Sequence, residues 1–328
     1  MKKSLKAIIT IIFVLFIIGV IIFLLSFRWL INTPVDANGH ESLFEVKSGE
    51  STFQIAEHLK ARNLIQADWV FFMESKMKGG SLTPGIYELS PKMNIIEIFR
   101  IISSGETKII KVTIPEGYRT EQIAQVLAKK EIVEYKSFIE KAKQYDGKLF
   151  PDTYYLSPDN TVDEIITMMT DDYKSRTSNL IISESDLIIA SIVEREATTD
   201  SDRALIAGVY KNRLAQKMRL ESDPTVRYAL DEKLLKSMTV NDILSFSFWK
   251  QKVILTEVRS FNSPYNTYFA TGLPPAPICN PGLSSINATL NSDTHNYLYF
   301  LNDANGKIYP AKTLAEHNKN VANILGTN

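Results

Sequence analysis

The chain has 328 residues, 45% hydrophobic and 23% charged, which excludes disorder as its main state and gives enough apolar material for cores of its own. Its one cysteine, Cys279, excludes an intramolecular disulfide and a Cys/His zinc cluster. Lysine plus arginine and aspartate plus glutamate both total 37, so the net charge is zero and no basic footprint for nucleic acid exists. Residues 1–28 hold four bases (Lys2, Lys3, Lys6, Arg28) and no acid, leaving 33 bases against 37 acids, a balance of −4, in the remainder. Ala7 to Phe27 is a run of 21 uncharged, mostly aliphatic and aromatic residues. At 1.5 Å per residue it spans roughly 30 Å, the thickness of a bilayer core, and predicts a transmembrane helix. The run exceeds a signal-peptide core, and Ser26-Phe27-Arg28-Trp29-Leu30 offers no small-residue cleavage site, so an uncleaved anchor over residues 1–30 is expected. Three lysines before the span and one arginine after it put Met1 in the cytoplasm and everything beyond Trp29 outside.

Residues 31–43 are polar and turn-rich and read as a tether. Beyond them the sequence repeats. At an offset of 68, Gly49, Thr52, Gln54, Ile55, Ala56 and Leu59 recur as Gly117, Thr120, Gln122, Ile123, Ala124 and Leu127. At an offset of 67, Gly80, Leu82, Pro84, Tyr87, Leu89, Ser90 and Pro91 recur as Gly147, Leu149, Pro151, Tyr154, Leu156, Ser157 and Pro158. Each copy, 44–106 and 110–172, predicts a strand, a turn at the glycine, two helices, a strand through Tyr87 or Tyr154, and a closing helix. The strand-turn-helix opening resembles the LysM carbohydrate-binding module. The second copy differs at Phe150-Pro151-Asp152-Thr153-Tyr154-Tyr155, where the first has Thr83-Pro84-Gly85-Ile86-Tyr87-Glu88.

Ser183-Glu184-Ser185-Asp186 has the spacing of a capping box and opens Leu187-Ile188-Ile189-Ala190-Ser191-Ile192-Val193-Glu194-Arg195-Glu196. Leu187 to Val193 is apolar around the whole axis apart from one serine, which predicts a helix buried on all sides. Glu194 shares the stripe of Leu187, Ala190 and Ser191, so its carboxyl is aimed inward. Burial disfavours the ionised form, which is the tuning a general acid needs. The competing reading is a helix-end carboxylate bridged to Arg213 or Arg195. Glu196, about 200° around the helix, is expected to face solvent or an arginine.

A second helix starts near Asp200 or Ser201. It puts Asn212 on the apolar stripe of Leu205 and Val209, where its amide needs a partner. Asp223 precedes Pro224 and either caps the helix that begins there or joins a site. The segment from Ser263 to Gly282 contains five prolines and two glycines and reads as a stiff, ordered loop. Its Tyr265 and Asn266 suit sugar recognition by stacking and hydrogen bonding, although a plain turn reads as well. GxSxG, HExxH, GxxxxGK[ST] and GxGxxG are all absent, and His40, His58, His295 and His317 are scattered, so serine-hydrolase, metalloprotease and nucleotide chemistry lose ground. No cluster suggests a cofactor or a metal.

Taken together, the motifs resemble the MltG or YceG-like endolytic murein transglycosylases, which are anchored in the bacterial inner membrane. The resemblance runs through Thr113-Ile114-Pro115-Glu116-Gly117, Leu149-Phe150-Pro151-Asp152-Thr153-Tyr154, Ala190 to Glu196, Asn212-Arg213-Leu214, Ser222-Asp223-Pro224-Thr225-Val226, Tyr265-Asn266-Thr267-Tyr268, Gly272-Leu273-Pro274-Pro275, Asn280-Pro281-Gly282 and Tyr297-Leu298-Tyr299-Phe300. Two departures stand out. Asp146-Gly147 replaces the usual Glu-Gly, and Asn305-Gly306-Lys307-Ile308-Tyr309 replaces a Gly-Gly-His-x-Phe run, while Lys312 to Asn318 survives.

The resemblance implies that Glu194, the first glutamate of the Ile-Val-Glu motif, is catalytic, with Glu196 a motif residue. It further implies a lyase that cuts the bond between N-acetylmuramic acid and N-acetylglucosamine within nascent glycan strands and leaves a 1,6-anhydro end. Asn212, Asp223, Thr225, Tyr265, Asn266, Thr267 and Asp152 are the candidate substrate-binding residues. Implied partners are peptidoglycan strands, the inner membrane and the peptidoglycan synthases. The expected architecture is mixed α+β: a single-span anchor, a small LysM-like domain at 44–106, and a larger catalytic domain at 109–328 that incorporates the second copy. Rival readings are a two-carboxylate muramidase using Glu194 with Asp223 or Asp152, a peptidoglycan-binding scaffold without catalysis, and an adaptor of the synthesis machinery.

Overall fold

The computed structural model describes every residue except Met1, Gly80, Glu106, Lys108, Thr198, 251–257, 259–260, Ala304, Leu325 and 327–328, with side chains from residue 9 onward. Gly80 of the repeat, the boundary at 106 and the side chains of Lys2, Lys3 and Lys6 therefore lie outside the described residues. Contacts divide the chain into residues 1–111 and 112–328.

In the first unit, α1 (Lys2–Asn32) includes a stretch, Ile9–Asn32, long and apolar enough to cross a membrane, with mean hydropathy 3.2. Its large side chains from Ile9 to Leu25 are mostly exposed, whereas Ile31 is buried in the core of the unit. Phe23 and Phe27 each lie 6.0 Å from the Trp69 ring. The segment after the helix is more tightly held than a tether. The Gln66 amide donates to the Pro34 carbonyl (3.0 Å), and the Asp36 N–H donates to Pro91 (3.1 Å).

The duplication is structural. The first copy runs β1 (Ser42–Val46), α2 (Thr52–Ala61), α3 (Asp68–Lys78), β2 (Gly85–Leu89) and α4 (Ile95–Ser104). The second runs β3 (Ile110–Thr113), α5 (Thr120–Lys129), α6 (Tyr135–Ala142), a 3-10 turn at Lys143–Tyr145, β4 (Thr153–Leu156) and α7 (Val162–Arg176). β1 pairs antiparallel with β2, Phe44 opposite Tyr87, and β3 pairs with β4. Gly49 and Gly117 turn the chain at φ +87° and +76°, a left-handed conformation that a side chain would strain, which is why glycine recurs at both positions. Tyr87 donates its hydroxyl to the Thr83 carbonyl (2.7 Å), and Tyr154 makes the same bond to Phe150 (2.6 Å).

The rest of the second unit is mainly helical: α8 (Glu184–Glu196), α9 (Asp200–Ala215), α10 (Asp223–Leu235), α11 (Val240–Ser245) and α12 (Leu283–Leu290), followed by the antiparallel hairpin β5 (Tyr299–Asn302) and β6 (Ile308–Ala311) and by α13 (Leu314–Ile324). The expected capping box forms, Ser183 and Asp186 exchanging backbone and side-chain bonds. Leu187 to Val193 are all buried. Members of this run pack with Ile206, Ala207 and Tyr210 of α9, with Leu220 and Tyr228, and with Ile278 and Cys279.

One buried ion network ties the second repeat copy to α10. The Arg119 side chain has no exposure; it pairs with Glu121 (3.0 Å), Asp231 (3.5 Å) and Glu232, and its guanidinium lies 3.9 Å from the centre of the Tyr228 ring. Burial alone would raise the Glu121 carboxyl, but the Arg119 and Lys143 charges hold it down to about 2. Removing one partner of such a network strands the others. Arg119→Met is expected to destabilise the protein by about 3–5 kcal/mol in denaturant titration followed by far-UV circular dichroism; a change below about 1 kcal/mol would show that the network holds nothing in place.

Candidate active site

The site is built at the C-terminal end of α8, where a helix buried on every side runs out of apolar residues. Ala197 turns the chain into an extended conformation, its N–H still bonded to Val193. Glu194, Arg195 and Glu196 occupy this last turn and diverge.

The Glu194 side chain is only 6% exposed. Its Oε2 accepts the Gly282 N–H (2.9 Å), and its Oε1 lies 3.6 Å from Arg203 of α9. The bridge is thus to Arg203, not to Arg213 or Arg195. Arg203 also bonds Asp200 and donates to Ser285 (2.9 Å) at the start of α12. Glu116, which lay unremarked in a quoted motif, comes to the same spot. The Glu116 carboxylate occupies the space where a Cβ at Gly282 would project, so a side chain there would displace it. Burial, then the neighbouring Glu194 charge, pushes the Glu116 carboxyl upward. The loop that delivers Gly282 is stitched in by Asn280. Its backbone exchanges bonds with Gly117 and Tyr118 (2.9 and 2.8 Å), and its Oδ1 accepts from Leu149 N–H (3.0 Å).

Glu196 opens on clefts that also hold arginines, but its hydrogen bonds go to hydroxyls. Its Oε1 accepts from the Tyr210 hydroxyl (2.9 Å) and the Ser222 hydroxyl (2.7 Å). Burial pushes its carboxyl above the ordinary value, and the Asp223 charge adds to that push, while the two hydroxyl bonds and Arg227 oppose it. Glu196 and Asp223 line two clefts: one of about 570 Å³, together with Tyr210, Arg213, Tyr268 and residues of β5 and α13, and one of about 210 Å³, together with Arg195, Arg227 and Trp249. Glu194 lines neither. Asp223 makes no side-chain cap; α10 is assigned from Asp223 itself, and its carboxylate accepts the Tyr268 hydroxyl (2.8 Å).

The other candidates sit apart from these clefts. Asn212 has the partners its position demanded, donating to the carbonyls of His295 (2.7 Å) and Tyr297 (3.0 Å). Asn266 is fully buried and donates to Val258 (2.6 Å) and Phe261 (2.7 Å). Thr225 and Thr267, also buried, bond each other through their hydroxyls (2.8 Å), and Thr267 accepts the Ser222 N–H (3.0 Å). They fix the loop to the start of α10 and so hold Ser222 and Asp223 in position. Tyr265 leans on Tyr228, ring centres 4.5 Å apart. Asp152 pairs at the surface with Arg176 (2.5 Å) on α7. Sequence reasoning missed Tyr210 and Ser222. Ser222 adjoins Asp223 in a quoted motif, but no spacing signals that a tyrosine 14 positions after Glu196 turns back to it.

Among the described residues, no group of three or more His, Cys, Asp or Glu side chains is arranged to hold a metal ion. Cys279 is a buried free thiol, bonded to the Ser191 carbonyl.

The YceG-like family matches residues 44–323. An endolytic murein transglycosylase of Bacillus subtilis is 34% identical over 87% of this chain and 86% of its own length. One from Streptococcus pneumoniae is 28% identical over 88% of this chain, which spans 59% of that longer protein. A crystal structure of a YceG-like protein from Listeria monocytogenes superposes with a TM-score of 0.51 at 33% identity, covering 86% of this chain and 99% of that one. The chain belongs to the YceG-like family.

Proposed function

We propose that this protein is an endolytic lytic transglycosylase, held at the inner membrane by α1 with its enzymatic unit outside. It would cleave the β-1,4 bond between N-acetylmuramic acid and N-acetylglucosamine inside nascent peptidoglycan strands and so set their length. The names of the relatives at 34% and 28% identity support the activity, and the apolar Ile9–Asn32 helix supports the anchor. The LysM-like unit at 44–106 would hold glycan near the membrane, and the peptidoglycan synthases would supply it.

The observation that carries the mechanism is the environment of Glu196. A general acid must keep its proton near neutral pH and must reach substrate. Glu196 bears on both needs: burial pushes its carboxyl upward, toward the protonated form, and it lines both clefts. Glu194, although it matches the motif glutamate first singled out, has its oxygens engaged by the Gly282 amide and Arg203 and lines neither cleft. The acid in this reading is therefore Glu196, and Glu194 is the strut that fixes the end of α8.

Tyr210 and Ser222 both donate to Oε1, which leaves Oε2 to carry the proton. The Glu196 proton passes to the glycosidic oxygen as the bond from the muramyl C1 to that oxygen breaks. The resulting carboxylate then takes the proton of the muramyl 6-hydroxyl as O6 closes onto C1. No water is consumed, and the acid regains its proton. Asp223, in the same cleft, stabilises the oxocarbenium charge between the two steps. Its position also favours one rival: a muramidase would use Glu196 and Asp223 as its two carboxylates. Asp152, ion-paired on α7, fits that role less well.

Glu196→Gln is expected to fold as wild type and to lose about 10²–10⁴ of its anhydro-muropeptide release from purified glycan, with Glu194→Gln losing about tenfold or less. The reverse order would make Glu194 the acid, and reducing ends in the products by mass spectrometry would select the muramidase. The hydroxyl donors supply a pH test. Because they stabilise the ionised form, Ser222→Ala should raise the Glu196 pKa. The alkaline limb of the pH–rate profile then moves up by about one unit, the size of one hydrogen bond to a charged group; an unmoved limb would mean that Glu196 is not the titrating acid.

A further inference from the structure

A helix on the surface of a folded unit ordinarily turns apolar residues inward and polar ones outward. In the first unit, α3 departs from that. Its buried face carries Val70 and Phe71 but also Glu74 and Ser75, while Trp69, Met73 and Met77, spaced one turn apart on a single outward stripe, are 40%, 40% and 68% exposed. Beside the stripe, the Phe72 ring meets the half-exposed Phe53 of α2 edge-on, ring centres 6.2 Å apart. An outward apolar face of this kind marks an interaction surface.

Its position says what covers it. The stripe begins at Trp69, whose ring lies 6.0 Å from those of Phe23 and Phe27 of α1. Along α1 this is where the exposed apolar side chains, which extend to Leu25, give way to Ile31 inside the core of the unit. It is therefore the level at which a membrane-spanning α1 leaves hydrocarbon, and tryptophan, an apolar ring with one polar N–H, favours that level. The start of α3 is also pinned there by the backbone: Gln66, two residues before α3, donates to the carbonyl of Pro34, two residues after α1 (3.0 Å). The charges on this helix fit as well. Lys76, its Nζ 5.5 Å from the centre of the Phe72 ring, and Lys78 close α3, while the acid of the first turn, Asp68, is paired with Lys60 (3.2 Å). Lysines whose stems lie along apolar surface suit anionic headgroups.

We propose that the outer face of α3, with Phe53 of α2, sinks into the headgroup layer of a phospholipid bilayer beside α1, Lys76 and Lys78 meeting anionic headgroups. The docking rests on the reading of α1 as a membrane span. Because the span already holds the unit at the surface, the second attachment forms at high effective concentration and needs only a few side chains. The first unit then lies on the membrane instead of standing off on a tether.

The test uses the full chain with Met77→Cys coupled to an environment-sensitive fluorophore; Cys279 is buried, so labelling is confined to position 77. The chain is reconstituted into vesicles of phosphatidylethanolamine and phosphatidylglycerol, with and without a phospholipid bearing a nitroxide high on its acyl chain. The nitroxide should quench the label about twofold or more, and Trp69→Gln with Met73→Gln in the same chain should remove most of that quenching. Flotation of the vesicles after alkaline washing tests the span separately. A chain that floats with its label unquenched, or quenched equally in the double variant, overturns the docking and leaves the span intact; a chain that does not float overturns both. A label unquenched in pure lipid but shielded from aqueous iodide in native membranes gives the face to a protein partner, which also overturns the docking.

Discussion

The second unit depends on one constraint: α8 is buried along seven consecutive residues, yet ends in two glutamates and an arginine. A carboxylate carried into such surroundings without partners would cost several kcal/mol. The fold gives the two glutamates different solutions. Glu194 meets a backbone amide and a guanidinium. Glu196 meets two neutral hydroxyls, and a hydroxyl can rotate to suit a carboxylate or a carboxylic acid. The two carboxylates of this three-residue segment thus differ in the chemistry of their partners, not only in depth of burial.

The duplicated unit shows how a scaffold becomes part of such a site. In the first copy, Ser51 caps α2 and Phe53 is half exposed. The corresponding positions of the second copy are Arg119 and Glu121, both buried and both in the network that reaches α10. The backbone turn at the conserved-in-repeat glycine is unchanged, but next to Gly117 lie Glu116 and Tyr118, which engage the Asn280–Gly282 loop against the end of α8. Few exchanges on one surface of a common fold therefore convert it from an independent unit into the floor of the larger domain.

What the sequence made legible follows the same logic. The repeat, the burial of Leu187 to Val193 and the need of Asn212 for a partner rest on local periodicity or on satisfaction of polar groups, and the structure agrees with each. The orientation of Glu196 could not be read this way. An angle of about 200° from Glu194 points away from one buried stripe, but periodicity does not show that the Tyr210 and Ser222 hydroxyls line the space there at the edge of the clefts. Asn266 and Thr267 have the chemistry of sugar ligands; in the folded loop Asn266 donates to two backbone carbonyls and Thr267 accepts the Ser222 N–H, while Thr225 on α10 bonds the Thr267 hydroxyl.

The C-terminal hairpin carries the argument one step further. Its tip, where the family often has a histidine, here has Lys307, and the tip is closed by Asp303, whose Oδ1 accepts the N–H groups of Asn305 (2.8 Å) and Lys307 (2.9 Å) and whose Oδ2 accepts the Tyr309 hydroxyl (3.2 Å). These bonds are made within the hairpin itself. Asn302, one residue before Asp303, and His317 on α13 behave in the opposite way, keeping buried atoms that nothing in the described chain satisfies. Behind the tip, the Tyr299 ring of β5 stacks on the His317 ring of α13 at 5.5 Å, which packs the hairpin against that helix.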